Sequence, residues 1–350
     1  MIGKLIAKFF ILSIIYLLIC ALIYFISYVS LSKKIFIDFP GFRAVQKNLY
    51  YNLSFIEVWQ NKSECISYDD ELIYIPKIGG CEFKNAEFNT NLNFTKLGRY
   101  MPEINNNKNK PIIVMGDSHA MGWGVEDDET FSYVLQKLSG TQVYNLAVSS
   151  YGTIRQVISL EKSDLLEKSD LLIIQYHEND LRENLNFHKL KKNQYKKIYS
   201  TMISSPINVD VTDVESINFS EINTFYITKG ILNSYKTSLR LIFSDVTNLF
   251  KKKYKKSNFK LHYEPLIKNI KNINGFDNKK IIVFYSSSPK FRFGDFPNGY
   301  DKKYPNVYFF DIYKSEFGEE NYFYLDKHPN KQGHKKIGES LYKILNSNIF

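Results

Sequence analysis

Three residue types that can act together on an ester stand far apart in this chain. Ser118 follows an apolar run in Gly116-Asp117-Ser118-His119, whereas Asp326 and His328 lie in Asp326-Lys327-His328-Pro329-Asn330, just ahead of a C-terminal helical pattern. A serine hydroxyl becomes a useful nucleophile only when a base takes its proton and a carboxylate orients that base. A fourth residue, Asn179 in His177-Glu178-Asn179-Asp180, carries an amide that can donate to the oxyanion formed on attack at a carbonyl. Neighbouring residues have plainer readings. Asp117 is read as a bonder of loop amides, His119 and His177 as rim residues that can touch substrate, and Asp311 as a rival acid closing a strand. Trp123, between Gly122 and Gly124, is either a substrate contact or an aromatic packed under the first helix; His334 is read as a surface or capping residue. Three Cys and six His show no metal-ligand spacing, and no cofactor is expected.

These residues can meet only on a scaffold that brings distant loops to one edge. After residue 110 the pattern alternates between short apolar runs and helical periodicity. The runs are Pro111 to Met115, Gln142 to Val148, Leu171 to Tyr176, Lys280 to Tyr285 and Asn306 to Ile312; the helical stretches include Asp128 to Leu138, Thr153 to Lys168 and Lys331 to Leu345. Such alternation predicts an α/β fold: a three-layer α/β/α sandwich around a central parallel five-stranded sheet. Ligands of such sheets bind beyond the carboxyl ends of the strands, where Ser118 and Asn179 fall. The interval 186–280 is too long for a simple crossover and predicts an insertion.

Four blocks in this order resemble the SGNH hydrolase family, also called GDSL-type esterases. Ser118 sits in the first block, Asn145 to Thr153 resembles the second, Glu178-Asn179-Asp180 the third and Asp326 to Asn330 the last. The resemblance implies a flavodoxin-like sheet, Ser118 as nucleophile, His328 as general base and Asp326 as orienting acid. It also implies an oxyanion hole from the backbone N–H of Ser118, the backbone N–H of Ser150 and the Asn179 amide. Two positions depart from the family pattern. Ser150 stands where the second block usually has Gly, and Leu325 stands where the acid usually precedes the histidine by three residues. Asp326 is two residues before His328, a spacing also found in extracellular branches that act on envelope polysaccharides; should it point elsewhere, a Ser-His dyad remains. The first block also resembles that of SGNH domains joined to membrane acyltransferases. The implied activity is an esterase or O-acyltransferase working on acyl groups, acetyl above all, of an envelope glycan. A lipase or lysophospholipase of the same fold, and a non-catalytic glycan-binding or assembly protein, are the competing readings.

Phe9 to Ser32 is a run of 24 residues without a formal charge. As a helix it would be roughly 36 Å long, enough to cross a bilayer. The sequence therefore predicts a single-pass anchor over residues 1–32, an extramembrane region and linker over 33–110 ending in the polar run Asn105 to Lys110, and a hydrolase-like domain over 111–350. The catalytic domain is expected outside the cytoplasm, where Cys65 and Cys81 either pair or remain thiols. The formal charge of +10 invites a nucleic-acid reading, but segment 186–280 holds 18 Lys+Arg against 7 Asp+Glu and the rest of the chain 28 against 29. The surplus thus belongs to the insertion, in two clusters: Lys189, Lys191, Lys192, Lys196, Lys197, and Lys251, Lys252, Lys253, Lys255, Lys256, Lys260. With no nucleic-acid motif present, the expected partners are an ester substrate and a membrane, not a nucleic acid.

Overall fold

The apolar runs pair side by side in the computed structural model, which describes residues 2–39, 41–52, 57–104, 109–204, 235–243, 255–257, 259–286, 291–293, 299–312 and 317–347. Ahead of the sheet core come helices α1 (Ile2–Ser32) and α2 (Phe42–Asn52), a hairpin of β1 (Ile66–Asp69) and β2 (Ile73–Pro76), and strands β3 (Gly79–Lys84), β4 (Asn89–Thr95) and β5 (Gly98–Arg99). The core then runs β6 (Ile112–Met115), α3 (Ser118–Met121), α4 (Phe131–Ser139), β7 (Val143–Asn145), α5 (Thr153–Glu161) and β8 (Leu171–Tyr176). It continues through α6 (Asn179–Lys189), α7 (Lys192–Ser204), α8 (235–243), β9 (Lys255–Ser257), α9 (Lys260–Ile270) and β10 (Lys280–Tyr285). Last come β11 (Phe291–Phe293), β12 (Gly299–Tyr300), β13 (Val307–Phe310) and α10 (Lys331–Leu345).

The main sheet has nine strands in the order β12-β13-β10-β8-β6-β7-β5-β4-β3. Its middle five, β13 to β7, are parallel, and antiparallel strands extend both edges. Parallel strands buried on both faces should be apolar at consecutive positions, and they are. Ile113, Met115, Leu172 and Ile174 face Val157 and Leu160 of α5 and Leu266 and Ile270 of α9. Ile112, Val114 and Ile173 belong to the opposite core, with Phe131 and Leu135 of α4 and Ile337 and Leu341 of α10. Each fully buried aliphatic side chain contributes about 1.5–3 kcal/mol, so the two cores hold the three layers together.

The sequence leaves the stretch before residue 105 without a described role, and the structure builds it into the sheet. Arg99 pairs with Asn145 across β5 and β7, and β4 and β3 follow antiparallel. Cys65 and Cys81 are disulfide-bonded, with Cα atoms 5.2 Å apart. Of the polar run Asn105 to Lys110, residues 105–108 lie outside the described residues, as do Lys251, Lys252 and Lys253 of the second basic cluster. Within 186–280, α9 is the crossover helix between β8 and β10, so that part of the interval belongs to the sandwich.

Residues 6–32 of α1 form a helix long and apolar enough to span a membrane. Its C-terminal half packs on α2 and α8, with Cys20, Ser27, Ser30 and Leu31 buried. Gln46 of α2 ties the end of α1 down, donating to Ser30 Oγ at 2.8 Å and to Ile35 O at 2.9 Å and accepting the Ile37 N–H at 3.0 Å.

Candidate active site

The chain turns direction on the sheet between β6 and β8: β7 lies on one side of β6, while β8, β10 and β13 lie on the other. Loops leaving a sheet at such a point diverge and open a crevice at the carboxyl ends of the strands. Ser118 is the first residue of α3, immediately beyond β6. Gly116 is required there because a Cβ would meet Gln175 Oε1 at 2.5 Å and Ala120 Cβ at 2.6 Å. Asp117 caps the turn: its Oδ1 accepts the His119 N–H at 2.9 Å, and its own N–H donates to Gln175 Oε1 at 2.9 Å.

Asp326 and His328 sit at the tip of a pinched loop between β13 and α10. The loop is closed by a bridge between Tyr322 and Pro329 and by the Phe323 N–H donating to His328 O at 3.1 Å. Asn330 ends it by capping α10, accepting from the N–H groups of Gln332 and Gly333. This geometry shows how a carboxylate only two residues ahead of a histidine reaches its ring. Asp326 Oδ1 accepts the backbone N–H of Lys327 at 2.7 Å and of His328 at 3.1 Å, an Asx-type turn that folds the carboxylate back over the ring. The same oxygen lies 2.5 Å from His328 Nδ1. An ionised carboxylate only accepts, so Nδ1 carries the proton and Nε2 is left to accept from the Ser118 hydroxyl at 2.7 Å.

Asp326 is 1% exposed, a position where an unpaired charge would be costly. Its second oxygen is nevertheless also served, by the Tyr50 hydroxyl at 3.1 Å and by Trp123 Nε1 at 3.2 Å. Burial pushes its carboxyl up, but the attraction of His328 and the hydrogen bonds from His328 and Tyr50 outweigh this and hold it below the usual carboxylate range. Leu325, at the position the family pattern gives to the acid, is fully buried.

Four rings form a continuous stack across the site: His177 on His119 at 4.6 Å, His119 against His328 at 4.7 Å and His328 on Trp123 at 4.7 Å. His119 is buried, and burial, then the neighbouring His177 and His328, push its pKa well below the ordinary histidine value. It is therefore a neutral ring, paired with the Ser286 hydroxyl at the end of β10. Trp123 is 4% exposed, under His328 and bonded to Asp326. Asn179 opens α6, and its Oδ1 pairs with His177 Nδ1 at 2.8 Å, which leaves the amide Nδ2–H groups as donors. Asp180 fastens that turn by accepting the His177 N–H at 2.7 Å.

Ser150 has φ = +60°, the left-handed region that explains the family's preference for Gly at this position. Holding Ser there costs about 1–2 kcal/mol. Gln60 offsets part of that cost, donating to Ser150 Oγ at 2.9 Å while accepting from Ser149 Oγ at 2.9 Å; the Tyr74 hydroxyl adds a bond to Ser149 O at 2.6 Å. Ser118, Ser150 and Asn179 thus leave the sheet from three adjacent strands, β6, β7 and β8.

One reading is corrected. His334 is not at the surface: it is fully buried, stacked on Phe131, and its Nδ1 accepts the Phe131 N–H that opens α4. Sequence reasoning also missed Tyr50, Gln60, Tyr74, Glu87 and Arg99, all from the stretch before residue 105. Arg99 is 1% exposed and donates to Met121 O, Gly122 O, Val125 O and Asp127 Oδ1 at 2.6–2.8 Å, locking the end of α3 behind Ser118.

Compared with known proteins, the chain matches the GDSL-like lipase/acylhydrolase family over residues 112–341. Solved structures that align with it include a lipolytic protein of the G-D-S-L family from Desulfitobacterium hafniense DCB-2, at 13% identity over 67% of this chain and 99% of that one, with a TM-score of 0.32. Another is a carbohydrate esterase family 2 enzyme with a carbohydrate-binding domain from Corynascus thermopiles (Myceliophthora fergusii), at 15% identity over 71% and 68%, with a TM-score of 0.31. Scores this low carry no weight beside the family match. No curated protein matches the sequence.

Proposed function

Because the chain belongs to the GDSL-like lipase/acylhydrolase family, and is therefore an ester hydrolase, we propose that Ser118 is its nucleophile, His328 its general base and Asp326 the acid that orients the base. The observation that carries this reading is the unbroken chain Ser118 Oγ, His328 Nε2, His328 Nδ1, Asp326 Oδ1, with contacts of 2.7 and 2.5 Å. In it, Ser118 attacks the ester carbonyl while Nε2 takes its proton. Asp326 stabilises the imidazolium and keeps the ring in the tautomer that leaves Nε2 free. The oxyanion is held by the backbone N–H groups of Ser118 and Ser150 and by the Asn179 amide. His328 then returns the proton to the leaving alkoxide. A second hydroxyl enters by the same path: water gives hydrolysis, and a sugar hydroxyl gives acyl transfer.

The proposed substrate is an acylated, chiefly acetylated, glycan of the cell envelope, reached by a domain tethered through α1. Supporting this are the apolar helix of residues 6–32, the disulfide between Cys65 and Cys81, and the Asp-x-His spacing of the last block. The test is turnover of a chromogenic acetate and of its long-chain homologue by the full-length chain, beside Ser118→Ala. The acetate should be turned over faster, and Ser118→Ala should lower the rate by roughly a thousandfold or more. Activity that survives Ser118→Ala sinks the assignment of the nucleophile, and a preference for the long chain moves the substrate to lipids.

A further inference from the structure

We propose that Tyr50 and Glu87, which lie outside the family-matched segment, are positioning residues that hold Asp326 in its working place. The inference rests on the triad reading above and deepens it. Asp326 Oδ2 has two side-chain donors, Tyr50 and Trp123, and Trp123 alone comes from the matched segment. Tyr50 is fully buried on α2, one helical turn after Gln46, so the face that ties α2 to the end of α1 also presents the hydroxyl to the acid. Burial, then the neighbouring Asp326 charge, push the Tyr50 hydroxyl far above its ordinary range, so it remains a proton donor throughout the working pH range.

Glu87 grips the backbone on the other side. Its carboxylate accepts the N–H groups of Tyr324, of Leu325 at 2.8 Å and of Asp326 at 2.9 Å. Three consecutive amides converge on one side chain, which fixes where the loop enters its Asx turn. The two residues hold different things: Glu87 sets the path of the backbone, and Tyr50 sets the rotation of the carboxylate. A carboxylate free to rotate would share its charge between its oxygens and loosen its hold on Nδ1. The Trp123 bond to Oδ2, the backbone amides on Oδ1 and the ring stack below His328 would then be the remaining restraints.

The test uses the full-length chain in detergent micelles with p-nitrophenyl acetate, comparing wild type, Ser118→Ala, Tyr50→Phe, Glu87→Gln and Asp326→Asn, and Tyr50→Phe combined with Asp326→Asn. Tyr50→Phe keeps the ring and should keep the fold. It should lower kcat roughly tenfold to a hundredfold, the size of one lost hydrogen bond to a buried charge, with KM little changed. On the Asp326→Asn background the same change should have almost no effect, because the two residues act through one contact. Glu87→Gln should lower kcat in the same manner; if that variant does not fold, Tyr50→Phe decides. An unchanged kcat for Tyr50→Phe, or an equal loss on both backgrounds, overturns the positioning role while Ser118→Ala still abolishes turnover. If Ser118→Ala retains turnover, or wild type neither turns over the acetate nor reacts with a fluorophosphonate, the triad reading falls and this proposal with it.

Discussion

Residues 33–110 and the basic segment 189–197 both lie outside the five-stranded core, and the polar side chains that mark them behave in opposite ways. In the first, Tyr50, Gln60, Tyr74, Glu87 and Arg99 point inward, and each bonds a loop that carries a site residue. In the second, Lys189, Lys191, Lys192, Lys196 and Lys197 are exposed, while Tyr195, Ile198 and Met202 do the packing. A buried polar group must find its partner or pay a desolvation penalty, so each one specifies a single arrangement. A solvated lysine specifies none. Among the described residues, this lysine cluster thus contributes less to the geometry of the site than the inward side chains of 33–110.

The comparison breaks most visibly at Arg99. Replacing it with Met keeps much of the volume but leaves three carbonyls without their donor and Asp127 without its cation. Breaking a buried pair of this kind costs about 3–5 kcal/mol, to be read as a fall in the urea midpoint, and the loosened α3 should lower turnover as well. If the variant loses less than about 1 kcal/mol, the inward supports are less important than their burial implies.

The 186–280 stretch has an inward polar residue of its own, His262 on α9, paired with the Tyr176 hydroxyl at 2.9 Å. Burial, then the nearby His177, lower its pKa. A histidine whose folded pKa is depressed binds its proton more readily in the unfolded chain, so it costs stability as pH falls through the unfolded value of about 6.5. His262→Gln should cost about 1 kcal/mol at pH 8, shrink the loss of stability between pH 8 and pH 5, and leave kcat at pH 8 unchanged. A kcat that falls with it would place the insertion among the supports of the site.

Most of the scaffold was legible because its signals are local. Apolar runs of strand length and helical periodicity mark the five parallel strands and α10 closely, since both patterns follow from burial on known faces. Ser118, Asp326 and His328, which the fold brings into hydrogen-bonding contact, are the residues that type and order single out. The supports were not legible for a physical reason. Tyr50 lies 276 residues from Asp326 and Glu87 lies 239, and an amphipathic helix reading FRAVQKNLYYN says that a tyrosine is buried without saying against what. The alternation in β4, with Thr90, Leu92 and Phe94 buried between exposed or half-buried positions, is readable as a half-buried strand. Its place in the main sheet, between β5 and β3, depends on the contact between Arg99 and Asn145, which no local pattern announces. His334 misleads in the opposite way: Lys331, Lys335 and Lys336 around it suggest a solvated helix face, yet its own direction is toward α4.

The smallest expected effect is also the sharpest test of the contrast. Changing Lys189, Lys191, Lys192, Lys196 and Lys197 to Gln removes five positive charges from the exposed side of α6, α7 and the turn between them. Of these, Lys192 has a carboxylate near it, Glu71 at 3.9 Å, and an exposed pair of that kind is worth under about 1 kcal/mol. Stability should therefore change by no more than about 0.5 kcal/mol per site, and kcat on a neutral ester should stay within twofold. The charges act only at a distance, over about 8–10 Å at physiological salt. If the cluster faces an acidic glycan or an anionic headgroup, kcat/KM on an acidic ester should fall and lose its salt dependence, while the neutral ester is unaffected. An equal effect on both esters removes the steering role and leaves these lysines as a solvated surface. A large loss on the neutral ester would mean that 186–280 reaches into the site as 33–110 does, and the distinction between the two stretches would go.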